Sequence, residues 1–113
     1  MKLAFTVKQE KLFPVMDERF ARTEKFLIYD TDGSRGFKEI SNKEARESQQ
    51  GAGVHAASLM IEQGIDCVIT GTCGPKARKA LEAAGITIHL TAKKSPAEAL
   101  KEALSQCQAD QYE

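Results

Sequence analysis

A tight turn between a predicted strand and a predicted helix carries the residues best suited to chemistry. Residues 69–77 read ITGTCGPKA, so an apolar run stops at Gly71 and Pro75 opens a helix. A helix start offers unpaired N–H groups and the positive end of the helix dipole, and both favour an anion. The predicted binding residues of this turn are Gly71, Thr72, Cys73, Gly74 and Lys76. The alternative is that the glycines only shape the turn.

Two side chains are predicted as metal ligands, Cys73 and His55. A helix N-terminus lowers the pKa of a thiol, so Cys73 is expected to supply a thiolate for metal binding or nucleophilic attack. His55 opens another predicted helix near the same edge, where an imidazole can coordinate a metal or hydrogen-bond an anion. An exposed histidine without a function is an equal alternative. The spacing of Cys67 and Cys73 does not fit a structural zinc site, and Cys107 is expected in the core.

Further anion-binding residues are predicted in two other segments. Gly51-Ala-Gly-Val-His55 has the glycines of a dinucleotide-binding fingerprint, but no predicted strand precedes it. Gly51 and the other small residues are therefore expected to allow close helix–sheet approach, and Gly53 to leave room for a ligand or a neighbouring backbone. Arg19 and Arg22 lie in a mixed-charge run, which either directs guanidinium groups at an anion or is an ordinary solvated loop. Positive charge at the same edge is also expected from Lys8, Lys11, Lys93 and Lys94.

The elements that must position these residues are five strands and three helices. The strands are predicted at residues 3–7, 26–29, 37–40, 65–70 and 86–90. The helices are predicted to start near Gly51, at Pro75 and after Ser95, and Gly64 and Gly85 end the first two. Turn chemistry at Asp32-Gly33 predicts a hairpin of strands two and three. Right-handed crossovers then give a mixed sheet of order 3-2-1-4-5, with strand two antiparallel and helices on both faces.

This topology predicts where a ligand binds. In open α/β sheets, ligands lie beyond the carboxyl ends of the parallel strands, where the chain path reverses direction. Strands one and four flank that point, and four segments are expected at the edge beside it. They are residues 8–25, 41–54, 71–76 and 91–95.

Composition limits the classes of protein that fit. The 113 residues are expected to form a single domain over 1–108 with a frayed tail at 109–113. The 16 basic and 16 acidic residues cancel, so nucleic acid and membrane surfaces are not expected as partners. The first residues lack the apolar core of a signal peptide, and the sequence has no apolar run long enough for a membrane span. A cytoplasmic protein without a disulfide framework is therefore expected.

Several segments together resemble the dinitrogenase iron–molybdenum cofactor biosynthesis family over residues 1 to about 105. They are Met1-Lys-Leu-Ala-Phe5, Arg19-Phe-Ala-Arg22, Gly51-Ala-Gly-Val54, Gly64-Ile-Asp66 with Val68-Ile-Thr-Gly71, and Gly74-Pro-Lys-Ala77 with Ala84-Gly-Ile86. The resemblance implies a ribonuclease H-like three-layer α/β fold. It also implies binding, storage or delivery of an anionic metal–sulfur cluster, either the iron–molybdenum cofactor, a precursor or another molybdenum-containing cluster. The implied partners are cluster donor and acceptor proteins.

Enzymatic activity is not expected. Strand one, LAFTV, has no carboxylate where a two-metal nuclease needs one. Two alternatives to the cluster carrier stay open. One is an enzyme with Cys73 as nucleophile and His55 as base. The other is a small regulatory domain that binds a phosphate-bearing metabolite at the same helix N-termini.

Overall fold

Six strands and four helices form along the residues that the computed structural model describes, which are 1–33 and 36–111, with side chains as far as Ser105. In chain order they are β1 (Lys2–Glu10), β2 (Phe13–Met16), β3 (Lys25–Asp30), β4 (Lys38–Ser41), α1 (Lys43–Glu47), α2 (Ala52–Glu62), β5 (Cys67–Thr70), α3 (Pro75–Ala83), β6 (Thr87–Leu90) and α4 (Pro96–Gln111). None of the four helices in this part of the chain is long and apolar enough to cross a membrane.

The sheet has the order β4-β3-β1-β5-β6, and β2 pairs with β1 outside this path. β5 is parallel to both β1 and β6, whereas β3 is antiparallel to β1 and to β4. The five predicted strands correspond to β1, β3, β4, β5 and β6, so their predicted order and the antiparallel second strand are confirmed. The result depended on right-handed crossovers and on the later strands joining the free side of strand one, and β5 does pair in parallel with β1.

Two apolar cores lie on opposite faces of the sheet. On one face, side chains of α1, α2 and α3 pack with inward residues of β1, β3 and β5, including Met60, Leu81 and Phe26. On the other face, Ala99 and Ala103 of α4 pack against alternate residues of the same strands. Successive strand residues point to opposite faces, so a strand buried on both sides reads as a continuous apolar run. The protein is therefore a mixed α/β fold with its sheet flanked by helices.

The prediction of five strands was wrong, because the chain from Lys8 onward continues as a β-hairpin. β1 extends to Glu10, and β2 returns antiparallel beside it with Val7 opposite Met16. Val7 also pairs with Lys25 of β3, so β2 occupies the other side of β1, beyond the carboxyl end of β5. The polar composition of residues 8–25 predicted a long connection with one irregular or briefly helical turn, and β2 within it contains Pro14. A proline is nevertheless compatible with a short strand at a sheet margin.

A short helix, α1, occupies part of the stretch that was expected to be a polar loop or the lead-in to the next helix. It spans Lys43–Glu47, and Ala45 is its buried residue. Five residues with one apolar position give no measurable periodicity, so the sequence pattern did not predict a separate helix. The next two helices end where predicted. Gly64 and Gly85 adopt the left-handed conformation, with φ of +68° and +79°, just after the C-termini of α2 and α3.

The last helix begins as its sequence predicts. The Ser95 hydroxyl accepts a hydrogen bond from the N–H of Glu98 at 3.1 Å, which is the first half of a capping box. The helix backbone reaches Gln111. The expected core position of Cys107 and residues 112–113 of the tail lie outside the described side chains and residues, so the frayed tail stays a prediction. Residues 34–35 of the Asp32-Gly33 hairpin turn also lie outside them.

Candidate functional site

A cleft of about 690 Å³ lies beyond the carboxyl ends of β5 and β6. Three segments form its walls: the β1–β2 hairpin with the residues that follow it, the turn after β5, and the loop after β6. The lining residues are Lys8, Glu10, Val15, Met16, Asp17, Glu18, Arg19, Gly71, Thr72, Thr91, Ala92, Lys93 and Lys94. Three of the four segments expected at this edge therefore meet in one cleft, whereas residues 41–54 do not line it.

Backbone hydrogen bonds hold the loop after β6 in place as a continuation of the sheet. The N–H of Thr91 donates to the Thr70 carbonyl at 2.9 Å, and the N–H of Met16 donates to the Lys94 carbonyl at 2.8 Å. Within the loop, the N–H of Lys93 donates to Oγ1 of Thr91 at 3.1 Å. The loop that carries Lys93 and Lys94 is thus attached by its main chain to β5 through Thr91 and to β2 through Lys94. The backbone that carries their side chains is therefore held in place beside the cleft.

The segment after β2 crosses directly over the end of β5. The N–H and the hydroxyl of Thr72 both donate to the Glu18 carbonyl, the hydroxyl at 2.9 Å, and the N–H of Phe20 donates to the Thr72 carbonyl. A Cβ added at Gly71 would lie 2.8 Å from Cα of Glu18. The glycine is needed for this close approach of two backbones. The N–H and hydroxyl of Thr72, predicted as donors to an anion, are already used.

We expect Gly71→Ala to lower the free energy of unfolding by about 1–3 kcal/mol, because the new methyl group overpacks the contact with Glu18. Gly74→Ala is the matched control, since a Cβ there meets nothing within 4 Å and the glycine has φ of −66°. Urea unfolding of the two variants measures the difference. Equal stability of both variants would contradict the close approach.

Acidic and basic side chains both line the cleft, but the most buried carboxylate is neutralised locally. The Asp17 side chain is 3 % exposed and forms an ion pair with Arg19, whose side chain is 61 % exposed. Burial alone would raise the pKa of Asp17, but hydrogen bonds from the Arg19 side chain and backbone bring that pKa below its ordinary value. Asp17 is therefore ionised at neutral pH, and Arg19 is held at the cleft by it.

Cys73 does not line the cleft. Its side chain is partly buried against the core formed with α1, α2 and α3. Burial raises the pKa of the Cys73 thiol, Arg78 opposes this increase and Glu82 adds to it. The shift is opposite to the lowering expected from the helix start, and its largest cause is desolvation of the thiolate by burial. Gly74 and Lys76, also predicted as binding residues, are exposed and lie outside the cleft lining.

His55 lines a different cleft of about 550 Å³ between α1 and α2, together with Lys43, Glu44 and Glu62 among others. The structure therefore does not bring Cys73 and His55, the two predicted metal ligands, into one cavity. Within residues 1–33 and 36–111, no three or more Cys, His, Asp or Glu side chains are grouped so that they could hold a metal ion.

The two glycines before His55 have roles in helix geometry and packing. Gly51 precedes α2 with φ of +74° and caps it in the left-handed conformation. A Cβ at Gly53 would lie 3.0 Å from Cβ of Ala77, so Gly53 permits the close contact of α2 with α3. The close packing expected at Gly53 is therefore between two helices rather than between a helix and the sheet. Neither glycine lines the larger cleft.

Arg22, another predicted anion-binding residue, is engaged elsewhere. Its Nη1 donates to the carbonyls of Arg46 and Ser48 at 2.9 and 2.7 Å. These carbonyls lie at the end of α1, where helices leave carbonyl groups without intrahelical partners. Arg22 thus connects the segment after β2 to α1 through these two hydrogen bonds. Their acceptors belong to a helix that the sequence pattern did not predict.

Sequence comparisons identify relatives over most of the chain. The family model described as dinitrogenase iron-molybdenum cofactor matches residues 1–106. An uncharacterised protein of Methanocaldococcus jannaschii is 33 % identical over 90 residues, which are 79 % of this chain and 73 % of the relative.

Two solved structures share the fold. The apo form of the orange protein from Desulfovibrio gigas has a TM-score of 0.84 and 28 % identity, over 93 % of this chain and 88 % of that one. A Thermotoga protein described as a candidate NifB protein has a TM-score of 0.75 and 27 % identity, over 93 % and 87 % of the two chains.

Proposed function

Because the chain belongs to the dinitrogenase iron-molybdenum cofactor family, we propose that it binds, stores or delivers an anionic metal–sulfur cluster in the larger cleft without catalysing a reaction. The observation that carries this proposal is the convergence of Lys8, Arg19, Lys93 and Lys94 on one cleft, from two of its three wall segments. The similarity to an orange protein solved in its apo form supports a carrier that also has a loaded form. The ribonuclease H-like description of the fold, implied by the resemblance, is part of the same proposal.

The chemistry of the lining suits a cluster whose metals already carry sulfide. It combines four cations and three carboxylates, those of Glu10, Asp17 and Glu18, with the hydroxyl of Thr91 and the thioether of Met16, and it contains no cysteine or histidine among the described residues. A volume of about 690 Å³ is within the range of ligand pockets in proteins. The cargo would be either the iron–molybdenum cofactor, a precursor or a related molybdenum-containing cluster. Charge and hydrogen bonds to outer sulfides would hold it, and donor and acceptor proteins would load and unload it.

The two alternative functions receive less support. A phosphate-bearing metabolite was expected at the helix N-termini, but the start of α3 at Gly74 and Pro75 lies outside the cleft lining. The N–H of Thr72 is occupied by Glu18. A nucleophilic Cys73 would need a thiolate, and burial raises the pKa of this thiol.

Anaerobic loading tests the proposal. The protein is incubated with tetrathiomolybdate, with and without copper or iron, and then desalted; metal content per chain and the visible spectrum are measured. We expect stoichiometric metal and a protein-bound chromophore in the wild-type protein. Cys73→Ser and His55→Ala should keep both, because neither side chain lines the cleft.

Each other outcome has a defined meaning. The role of Cys73 and His55 as metal ligands is still a prediction. Loss of metal in either variant would therefore assign that side chain as a ligand and place the site outside the cleft. A wild-type protein that retains no metal under any loading condition would overturn the carrier role. Binding of ATP or inorganic phosphate by such a protein would then favour the metabolite-binding function.

A further inference from the structure

The Asp17 carboxylate and the Arg19 guanidinium form a two-point ion pair at the floor of the cleft. Nε of Arg19 lies 3.2 Å from Oδ1 of Asp17, and Nη2 lies 3.2 Å from Oδ2. The backbone N–H of Arg19 also donates to Oδ1 at 3.0 Å. Three hydrogen bonds therefore converge on one buried carboxylate. Such a planar fork fixes the orientation of the guanidinium as well as its position.

The carboxylate is itself fixed by the sheet. The N–H of Asp17 donates to the Thr6 carbonyl at 2.8 Å, and the Thr6 hydroxyl donates to the Asp17 carbonyl at 2.6 Å. Thr6 belongs to β1 and is fully buried. The orientation of Arg19 is thus determined by a central strand rather than by a mobile loop.

This pairing leaves the opposite edge of the guanidinium for a ligand. An arginine side chain has five N–H donors, of which Asp17 takes the one on Nε and one on Nη2. In the described part of the chain, the two N–H groups of Nη1 and the second of Nη2 make no hydrogen bond. Arg19 is 61 % exposed and lines the cleft. Its outer edge can therefore donate two parallel hydrogen bonds to two neighbouring atoms of one anion.

We propose that Asp17 is a positioning residue for anion binding, which holds Arg19 so that the outer edge of its guanidinium receives two adjacent acceptor atoms of the cargo. The ligand class is a multi-atom oxo- or thio-anion, and a monatomic anion would gain less from the fork. This inference rests on the proposed function of the cleft. It adds Asp17 to the residues needed for binding, although the negative charge of Asp17 itself repels an anion.

The sign of the Asp17→Asn effect separates this proposal from simple electrostatics. Removing a negative charge from the cleft should strengthen anion binding if Asp17 acts only through its charge. Asparagine replaces one of the two carboxylate oxygens by an NH2 group, which cannot accept from the guanidinium, so the two-oxygen pairing with Nε and Nη2 is lost and Arg19 loses its fixed orientation. If Asp17 positions Arg19, the Asp17→Asn variant should bind the anion more weakly than the wild type, although its cleft is more positive.

The test measures binding of tetrathiomolybdate alone by anaerobic equilibrium dialysis. We expect Asp17→Asn to weaken binding by about tenfold, the amount typical of a lost hydrogen bond between charged groups. Glu18→Gln is the matched control, because it removes the same charge from the neighbouring residue of the cleft and leaves the ion pair intact. The binding of tetrathiomolybdate by this variant should equal or exceed that of the wild type.

Two variants of Arg19 test the same pairing from the other side. Arg19→Lys keeps the positive charge but cannot form the two-point ion pair, so its binding should resemble that of Asp17→Asn. In an Arg19→Ala background, Asp17→Asn should cause no further loss. Unchanged or tighter binding by Asp17→Asn would overturn the proposal.

A second readout needs no ligand. The ¹⁵N heteronuclear NOE of the Arg19 Nε–H reports side-chain order, and the same spectra show whether each variant is folded. We expect an ordered Nε–H in the wild type and in Glu18→Gln, and a mobile one in Asp17→Asn. A mobile Arg19 in the wild-type protein would overturn the positioning role even if the anion binds. An ordered Arg19 in a protein that takes up no tetrathiomolybdate would overturn the proposed function alone.

Discussion

Replacing Lys8, Lys93 and Lys94 together by alanine is expected to weaken tetrathiomolybdate binding by about 100-fold. The three ammonium groups line one cleft but come from β1 and from the loop after β6. Each contributes roughly 1 kcal/mol in contact with a dianion, and 1.4 kcal/mol corresponds to a tenfold change in affinity. Equilibrium dialysis at two salt concentrations measures the effect. Salt should weaken binding by the wild type more than by the variant, because the variant has fewer charge contacts with the anion that salt can screen.

A matched variant separates cleft binding from general attraction to a positive protein. Lys76, Lys79 and Lys101 are exposed on α3 and α4 and lie outside the cleft lining. Replacing these three by alanine changes the net charge by the same amount, and we expect binding to stay within about threefold of the wild type. Equal losses in the two triple variants would contradict a specific site.

Phe20→Ala is expected to lower the free energy of unfolding by about 3–5 kcal/mol, the usual cost of truncating a buried phenylalanine. Phe20 is 1 % exposed and packs against Phe26 of β3 with ring centroids 5.7 Å apart. Its side chain anchors the segment that carries Asp17 and Arg19 to the core under the cleft. Urea unfolding of the protein without cargo measures this cost.

Phe13→Ala provides the control for the loss of an aromatic ring. Phe13 lies near the tip of the β1–β2 hairpin and is 72 % exposed, so its replacement should change stability by no more than about 0.5 kcal/mol. If the two variants have similar stability, the segment around Phe20 is not packed into the core of the empty protein. In that case cargo would have to order the cleft.

The sheet order could be predicted from the sequence because it depends on strong local signals and one chirality rule. Apolar runs such as residues 65–70 and glycine stops such as Gly64 identify strands and helices, and right-handed crossovers then fix which strands are neighbours. The location of a cleft beyond the carboxyl ends of β5 and β6 follows from the same topology. Lys8, Lys11, Lys93 and Lys94 were expected at this edge for that reason, and of these four Lys11 lies outside the cleft lining.

The details that were missed depend on contacts between distant segments. β2 is stabilised by pairing with β1 and by the Lys94 carbonyl, and its own four residues include Pro14. Arg22 binds carbonyl groups of a helix with only one buried residue. The local sequence of Asp17 reads as a solvated charge run, yet its side chain is buried by the crossing over β5. No local pattern contains this information.

The pKa of Cys73 was predicted in the wrong direction for a related reason. A helix start can be recognised in the sequence, but the burial of the side chain before it depends on how α3 packs against the core. Desolvation then decides the direction of the shift. For this reason we propose the cargo site in the larger cleft rather than at the thiol.

Anomalous scattering at the molybdenum absorption edge, from crystals of the tetrathiomolybdate-loaded protein, locates the metal and so decides whether the cleft binds the cargo. We predict one molybdenum-containing peak inside the cleft, with its outer sulfur atoms facing the guanidinium of Arg19 and the ammonium groups of Lys93 and Lys94. A peak bonded to the sulfur of Cys73 or to the imidazole of His55, with nothing in the cleft, would contradict the account.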